Sequence, residues 1–124
     1  RFYCLTFNLS VKIYRSIVNN IMARFAFKMF LKPGCEAEYE RRHREIWPEI
    51  VKLLKETGVS NYSIFFDKDT NLLFAVQEQG EVSSQDLGAE PIIQKWWEYM
   101  ADIMETNPDN SPVSIPLHEV FYMP

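Results

Sequence analysis

The feature that limits the fold most strongly is the order of two hydrophobic patterns, a strand pattern followed by a helical pattern. Residues 23–31 alternate with period two, which places Phe25, Phe27 and Met29 on one side. Such alternation predicts a β-strand, and the turn-forming residues 32–34 predict where that strand ends. The first element of the folded domain is therefore expected to be a strand.

A helical repeat follows in residues 35–57. Its apolar and aromatic positions recur three or four residues apart, at Tyr39, His43, Ile46, Ile50, Leu53 and Leu54. This spacing predicts an amphipathic helix that ends at Gly58, a favourable C-terminal cap. Pro48 lacks a backbone donor and disfavours helical geometry at Trp47, so we expect the helix to kink or restart there.

The rest of the chain predicts two strands, a second helical region and a closing strand. These segments cover residues 59–66, 72–78, 83–105 and 115–123. The polar residues 67–71 favour a hairpin between the two strands, and Ser83 or Ser84 can cap the start of the helical region. Turn-forming residues at 107–112 separate that region from the closing strand.

The resulting order, β-α-β-β-α-β, predicts an α+β fold of the ferredoxin-like type. This fold is a sandwich in which both helical regions lie on one face of an antiparallel sheet. The other face of the sheet then needs cover, and no segment is left to provide it. We therefore expect a homodimer with two-fold symmetry, in which the two sheets face each other across the interface.

Composition and charge narrow the class of protein. The 124 residues fit a single domain with its own core. The formal net charge is −4, and the one basic cluster, residues 41–44, is interrupted by His43, which argues against a nucleic-acid partner. We interpret this cluster as a solvated helix face.

The cysteines and the hydropathy of the chain indicate its setting. Cys4 and Cys35 lack metal-ligand spacing and fit a reducing, cytoplasmic environment. No apolar run is long enough to span a membrane.

Residues 1–21 differ from the rest of the chain. Their apolar positions are interrupted by Asn8, Lys12 and Arg15, so the continuous hydrophobic stretch of a secretory signal does not form. We interpret this segment as an extension, and the functional domain would comprise residues 22–124. An additional strand is the alternative interpretation.

One of the two histidines lies on the apolar stripe of the first helical region. His43 follows Tyr39 by four residues and shares its helix face, where burial can tune a pKa near neutrality. Tyr62, Trp96 and Trp97 can converge on the same cavity if both helical regions pack on one sheet face. By spacing alone, packing explains His43 and Tyr39 more simply than chemistry does. One of the two tryptophans is expected in the core and the other beside a pocket or the dimer contact.

Other chemistries find little support in the sequence. The four glycines form no phosphate-binding loop, and no spacing of His, Asp or Glu predicts a metal site. The cysteines lack an activating arrangement. Acid–base chemistry on a small neutral molecule is therefore the simplest hypothesis.

Several spaced motifs resemble those of the L-rhamnose mutarotase family. They occupy, in order, residues 25–27, 38–49, 61–64, 71–75, 96–100, 107–113 and 119–122. The longest motif reads EYERRHREIWPE, and the loop motif reads NPDNSPV. The similarity extends from Met22 to Pro124, so it covers the whole predicted domain.

The resemblance implies an isomerase that interconverts the α and β anomers of L-rhamnopyranose. It also implies a dimeric α/β-barrel built from two ferredoxin-like units, without metal or organic cofactor. The proton donor of the family corresponds to His43. Its substrate contacts correspond to Tyr39, Tyr62, Trp96 and Trp97.

We hypothesise that His43 protonates the ring oxygen of the sugar, whereas the base is open. Asp109, which shares a loop with Asn110, is one candidate, and a tyrosine or a bound water is another. Glu40 would raise the pKa of His43, and the neighbouring arginines would lower it unless they point to solvent. A non-catalytic small-ligand sensor and a ferredoxin-like oxygenase or haem-handling dimer are the alternative functions.

Overall fold

The structure, a computed structural model, describes residues 23–124. Its elements are, in chain order, β1 (Ala23–Phe30), α1 (Glu36–Arg44), α2 (Pro48–Glu56), β2 (Ser60–Asp67), β3 (Leu72–Gln79), α3 (Pro91–Met100) and β4 (Ser114–Leu117). A short 3₁₀ turn, Ser84–Asp86, precedes α3. Within this range no helix has the length and apolar character that crossing a membrane requires. The predictions for residues 1–21 and for Cys4 lie outside the described residues.

The four strands form one antiparallel sheet in the order β2-β3-β1-β4. β1 pairs with β3 along its whole length and with β4 over residues 26–29. Odd-numbered residues of the two central strands face the helices, and those in the middle of the sheet are buried, as at Phe27, Met29, Leu73 and Ala75. This is the split β-α-β arrangement, so the predicted α+β fold of the ferredoxin-like type is confirmed.

Pro48 divides the helical region 35–57 into two helices. Trp47 is extended, with φ −63° and ψ 131°, and α2 begins at Pro48. The proline ring disfavours helical geometry at the preceding residue, whereas in the first turn of a helix its missing N–H costs nothing. Gly58, with φ 94°, follows the end of α2 as predicted. The break between the two helices therefore follows from the sequence.

Two elements end earlier than the periodicity predicts. α3 ends at Met100 instead of residue 105, because the chain beyond it pairs with the end of β1. The Glu105 N–H donates to the Phe30 carbonyl at 2.9 Å. β4 ends at Leu117 instead of residue 123.

The segment after β4 is held to β1 by side chains instead of strand pairing. The Arg24 guanidinium lies 3.4 Å from the Glu119 carboxylate and 3.2 Å from the centroid of the Tyr122 ring. These contacts do not need extended backbone geometry. The closing strand predicted for residues 115–123 therefore does not extend past Leu117.

Arg42 joins α1 to the end of α3. Its guanidinium donates to both Asp102 carboxylate oxygens, at 2.8 and 3.1 Å, and to the Tyr99 carbonyl at 2.6 Å. Its Nε donates to Glu38 at 2.8 Å, and only 8% of the residue is exposed. The interpretation of the arginine cluster as a solvated face is therefore wrong for Arg42. The cause is a set of partners nearly sixty positions away, which local spacing does not reveal.

The face of the sheet opposite the helices is apolar and open to solvent. We call it the outer sheet face, and its large apolar residues are Phe65, Val76, Ile115 and Leu117. Their exposed fractions are 63, 37, 42 and 39%. Apolar residues of the C-terminal segment are exposed as well, at Val120, Phe121 and Met123. A sheet face that exposes several large apolar residues is typical of an interaction site.

Candidate active site

A cleft of about 730 Å³ lies between the helices and the sheet. Its volume and its largely apolar, aromatic wall suit a small-molecule site. All the residues predicted as donor or substrate contacts line it, namely Tyr39, His43, Tyr62, Trp96 and Trp97. Because α1, β2 and α3 each supply part of this set, the fold brings together residues that are far apart in the sequence.

His43 presents one ring nitrogen for chemistry. Its Nδ1 lies 3.1 Å from the Tyr39 carbonyl oxygen, one helical turn earlier. A carbonyl only accepts, so the Nδ1–H donates and the neutral ring carries no proton on Nε2. The ring stacks on Tyr39 with centroids 4.2 Å apart and meets the edge of Trp96 at 5.5 Å. Packing on two sides therefore fixes the orientation of the ring.

Burial lowers the pKa of His43 below its ordinary value of 6.5, and the hydrogen bond to the Tyr39 carbonyl partly offsets this effect. Glu40, which was expected to raise the pKa, is exposed and lies 3.5 Å from Arg44. The neighbouring arginines do not shift the pKa of His43 either. Half-burial of the ring, and not a charged partner, therefore governs its protonation.

Both predicted tryptophans are buried and both line the cleft. Trp96 contacts the rings of His43, Trp47 and Tyr99, with centroids 5.5, 5.1 and 5.7 Å away. Trp97 packs on Gly88, where a Cβ atom would lie 2.9 Å from the indole ring. The expected division into one core tryptophan and one pocket tryptophan is therefore too simple. Each residue packs in the core and also forms part of the cleft wall.

The two tyrosines of the cleft stay protonated at neutral pH. Burial raises the pKa of Tyr62 to about 12 and raises the pKa of Tyr39 well above 10. The rings are held by neighbours, and Tyr62 meets the edge of Phe27 at a centroid distance of 6.4 Å. Both hydroxyls therefore suit hydrogen bonding to a ligand better than proton abstraction.

The loop over residues 107–112 contributes Pro112 to the cleft wall, whereas neither Asp109 nor Asn110 lines it. Asp109 is exposed and accepts hydrogen bonds from the hydroxyl and the N–H of Ser111. These bonds hold the pKa of Asp109 below its ordinary value of 3.8. Asn110 has a positive φ of 67° and shapes the turn.

Sequence reasoning missed a polar part of the cleft wall. Ser84 and Gln85 line the cleft, and Gln77 lies behind Ser84 with no exposed surface. Gln77 could have indicated these polar residues from the sequence, because it occupies a position of β3 where the period-two pattern requires a core residue. A buried polar side chain needs polar partners. Among residues 23–124, no group of three or more His, Cys, Asp or Glu side chains is placed to hold a metal ion.

The fold and the site together define the class of protein. It is a small α+β domain of ferredoxin-like topology whose cleft offers aromatic faces, phenol hydroxyls and one imidazole to a small hydroxyl-bearing ligand. A sequence model described as L-rhamnose mutarotase matches residues 24–123. The chain belongs to the L-rhamnose mutarotase family, which confirms the resemblance seen in the motifs.

Individual relatives support this assignment over nearly their full length. The L-rhamnose mutarotase of Phocaeicola vulgatus is 70% identical over 103 residues, which make up 82% of this chain and 99% of that protein. The L-rhamnose mutarotase of Formosa agariphila is 59% identical over the same shares. A crystal structure of L-rhamnose mutarotase from Formosa agariphila matches with a TM-score of 0.76 and 56% identity, over 82% of this chain and 98% of that one.

Proposed function

We propose that the chain is an isomerase that interconverts the α and β anomers of L-rhamnopyranose. The observation that carries the proposal is the single imidazole of His43 at the wall of an aromatic cleft, whose Nδ1 is engaged by the Tyr39 carbonyl and whose Nε2 is available for proton transfer. Relatives at up to 70% identity that bear the name L-rhamnose mutarotase add the substrate. Anomer exchange requires only one acid and one base, so a site with a single imidazole and one further base is sufficient.

In the proposed reaction, His43 is the proton donor. A base takes the proton of the anomeric hydroxyl and the bond between C1 and the ring oxygen breaks. The imidazolium form of His43 gives its Nε2 proton to the ring oxygen and becomes the neutral ring with the proton on Nδ1. The product is the open-chain aldehyde. Rotation about the C1–C2 bond and the reverse proton transfers then close the ring on the other face of the carbonyl.

The candidates for the base differ in how well the site supports them. The raised pKa values of Tyr39 and Tyr62 make both phenols poor bases at neutral pH. Asp109 does not line the cleft, and its carboxylate already accepts hydrogen bonds from Ser111. Of the named candidates, a water bound in the cleft is the one that remains.

We assign substrate binding to Tyr39, Tyr62, Trp96 and Trp97. Indole and phenol rings provide flat faces for the C–H groups of a sugar, and their polar atoms reach its hydroxyls. All four side chains line the cleft, and the ring centroids of Tyr39 and Trp96 lie 4.2 and 5.5 Å from that of the proposed donor, His43.

The function is tested by saturation transfer in an NMR experiment on L-rhamnose. Irradiating the H1 signal of one anomer should reduce the H1 signal of the other in the presence of catalytic amounts of the protein. Without protein, uncatalysed exchange is too slow to transfer saturation. Rhamnose binding without transfer would indicate a sensor or carrier instead, and visible absorbance with haem uptake would indicate a haem-handling protein.

We also propose that the outer sheet face is covered by a second copy of the chain. The apolar residues of three strands lie on this face, and the exposed residues Val120, Phe121 and Met123 adjoin the edge strand β4. Two sheets that face each other bury such surfaces in a two-fold dimer without a further segment. The free thiol of Cys35 fits the cytoplasm, in which we place this dimer.

Val76→Glu is expected to turn the dimer into a monomer. Val76 lies on β3 in the middle of the outer sheet face, where a dimer would bury the new carboxylate without a partner. Light scattering coupled to size exclusion should give twice 14.7 kDa for the wild type and 14.7 kDa for the variant. Lys52→Glu, a charge change on the exposed surface of α2, should remain dimeric. A monomeric wild type would contradict the proposed pairing.

A further inference from the structure

Strand β2 contains an extra residue beside the cleft, where its pairing with β3 shifts. The backbone pairs on the two sides of the shift are Ser60 with Glu78 and Ser63 with Val76. Between these pairs, two residues of β2, Asn61 and Tyr62, oppose a single residue of β3, Gln77. One extra residue on one strand of an antiparallel pair is a β-bulge, a feature that can redirect a side chain next to an active site.

The bulge determines which face of the sheet carries Tyr62. Successive residues of a strand point to opposite faces, and residues paired across two strands share a face. Counted from Ser60, regular pairing would place Tyr62 opposite Val76, which lies on the outer sheet face. The extra residue instead brings Tyr62 to the level of Gln77, which is fully buried on the helix side. Tyr62 accordingly lines the cleft and packs on the core residue Phe27.

Asn61, the first residue of the bulge, has an uncommon backbone conformation. Its φ is 47°, in the left-handed region. Glycine adopts this region freely and asparagine tolerates it, whereas a β-branched side chain is strongly disfavoured there. The Asn61 Nδ2 also donates to the Glu78 carboxylate on β3 at 2.9 Å. Both the residue type and this hydrogen bond therefore stabilise the bulge.

We propose that Asn61 is a positioning residue whose left-handed backbone maintains the bulge and so directs Tyr62 into the cleft. The role rests on the proposed function, in which Tyr62 contacts the sugar. Asn61 itself reaches the cleft wall, but it is exposed and its amide nitrogen donates to Glu78. A direct contact with the sugar would depend on the Asn61 amide, whereas positioning depends on the backbone, so substitution separates the two roles.

Two variants that both lack the amide make this separation. Asn61→Gly permits a positive φ and Asn61→Val opposes it. Calorimetry with L-rhamnose should give a Kd within about 2-fold of wild type for Asn61→Gly. For Asn61→Val the Kd should rise roughly 5- to 30-fold, the factor by which a side chain disfavours the left-handed region. In the anomer-exchange assay, this loss should fall on KM more than on kcat.

The position of the Tyr62 ring can be measured without substrate. Tyr62 meets Phe27 edge to face, with centroids 6.4 Å apart, so nuclear Overhauser effects should connect the two rings in the wild type and in Asn61→Gly. These effects should weaken or disappear in Asn61→Val. Because the measurement needs no sugar, it tests the bulge even if the protein neither binds nor converts L-rhamnose. Failure of the proposed function and failure of the positioning role therefore give different results.

Asn71 provides a matched control for the strain itself. It is also an asparagine with a positive φ, 59°, but it lies in the turn between β2 and β3 and does not line the cleft. Asn71→Val should lower the melting temperature, as Asn61→Val does. It should leave the Kd of L-rhamnose and the contact between Tyr62 and Phe27 as in the wild type.

Several results would overturn the positioning role. If Asn61→Val keeps the contact between Tyr62 and Phe27, the rest of the fold maintains the bulge, whatever the Kd. Equal losses of binding in Asn61→Gly and Asn61→Val would assign the effect to a direct contact of the amide. An equal loss in Asn71→Val would assign it to general destabilisation. Asn61→Ala opposes a positive φ less strongly than valine does, so it permits the same comparison if Asn61→Val does not fold.

Discussion

Replacing His43 by asparagine is expected to reduce protein-dependent anomer exchange by about 10²–10⁴-fold, the usual contribution of a positioned acid or base. The asparagine side-chain N–H₂ can still donate to the Tyr39 carbonyl, which His43 contacts at 3.1 Å. What the variant lacks is the second ring nitrogen at the cleft. The loss should therefore fall on kcat, measured by saturation transfer, while the fold remains intact.

The second histidine of the chain provides a matched control. His118 is exposed and does not line the cleft, so His118→Asn should exchange anomers at the wild-type rate. Circular dichroism and the melting temperature should show that His43→Asn is folded. Near-normal exchange in a folded His43→Asn protein would refute the donor role.

The pH dependence of kcat has a defined sign if His43 is the donor. In the neutral ring the Tyr39 carbonyl keeps the proton on Nδ1, so Nε2 carries a proton only in the imidazolium form. Burial lowers the pKa of His43 below 6.5, so this acid form becomes scarce as the pH rises toward neutrality. We expect kcat to fall as the pH rises through this pKa and to level off below it. If kcat instead falls as the pH decreases, the neutral ring acts as a base. The pH profile of His43→Asn should lack the inflection.

Most of the fold could be predicted from the sequence, because the hydrophobic periodicities that specify strands and helices are local. Alternation in β1 and β3 follows directly from a sheet with one buried face, and Pro48 determines where one helix ends and the next begins. The spacing of Tyr39 and His43 likewise predicts a shared helix face, and their rings do stack. In each case the cause and its effect lie within a few residues.

The features that spacing missed depend on distant partners. Arg42 is buried because Asp102 and the Tyr99 carbonyl meet it across the fold, sixty and fifty-seven positions away. Gln77 is tolerated in the core because Ser83 and Ser84 supply its hydrogen bonds. Periodicity identifies which residues face inward, but the tertiary fold decides which polar groups meet there.

Trp96→Ala is expected to destabilise the fold strongly. Removing a buried tryptophan costs about 3–5 kcal/mol of unfolding free energy, through lost transfer energy and the cavity that remains. Trp96 is 8% exposed and contacts three other aromatic rings, so the surrounding structure cannot collapse without moving them. Urea denaturation should show a lower midpoint with an unchanged slope.

The binding role of Trp96 must be separated from this loss of stability. Trp96→Phe keeps a ring in contact with His43 and Tyr99 but removes the indole N–H and part of the flat surface, so it should retain most of the stability. If Trp96 contacts the sugar, this variant should still raise KM several-fold with little change in kcat. If KM stays at the wild-type value in Trp96→Phe and rises only in Trp96→Ala, Trp96 supports the cleft by packing, and Trp97 with the two tyrosines carries the sugar contact.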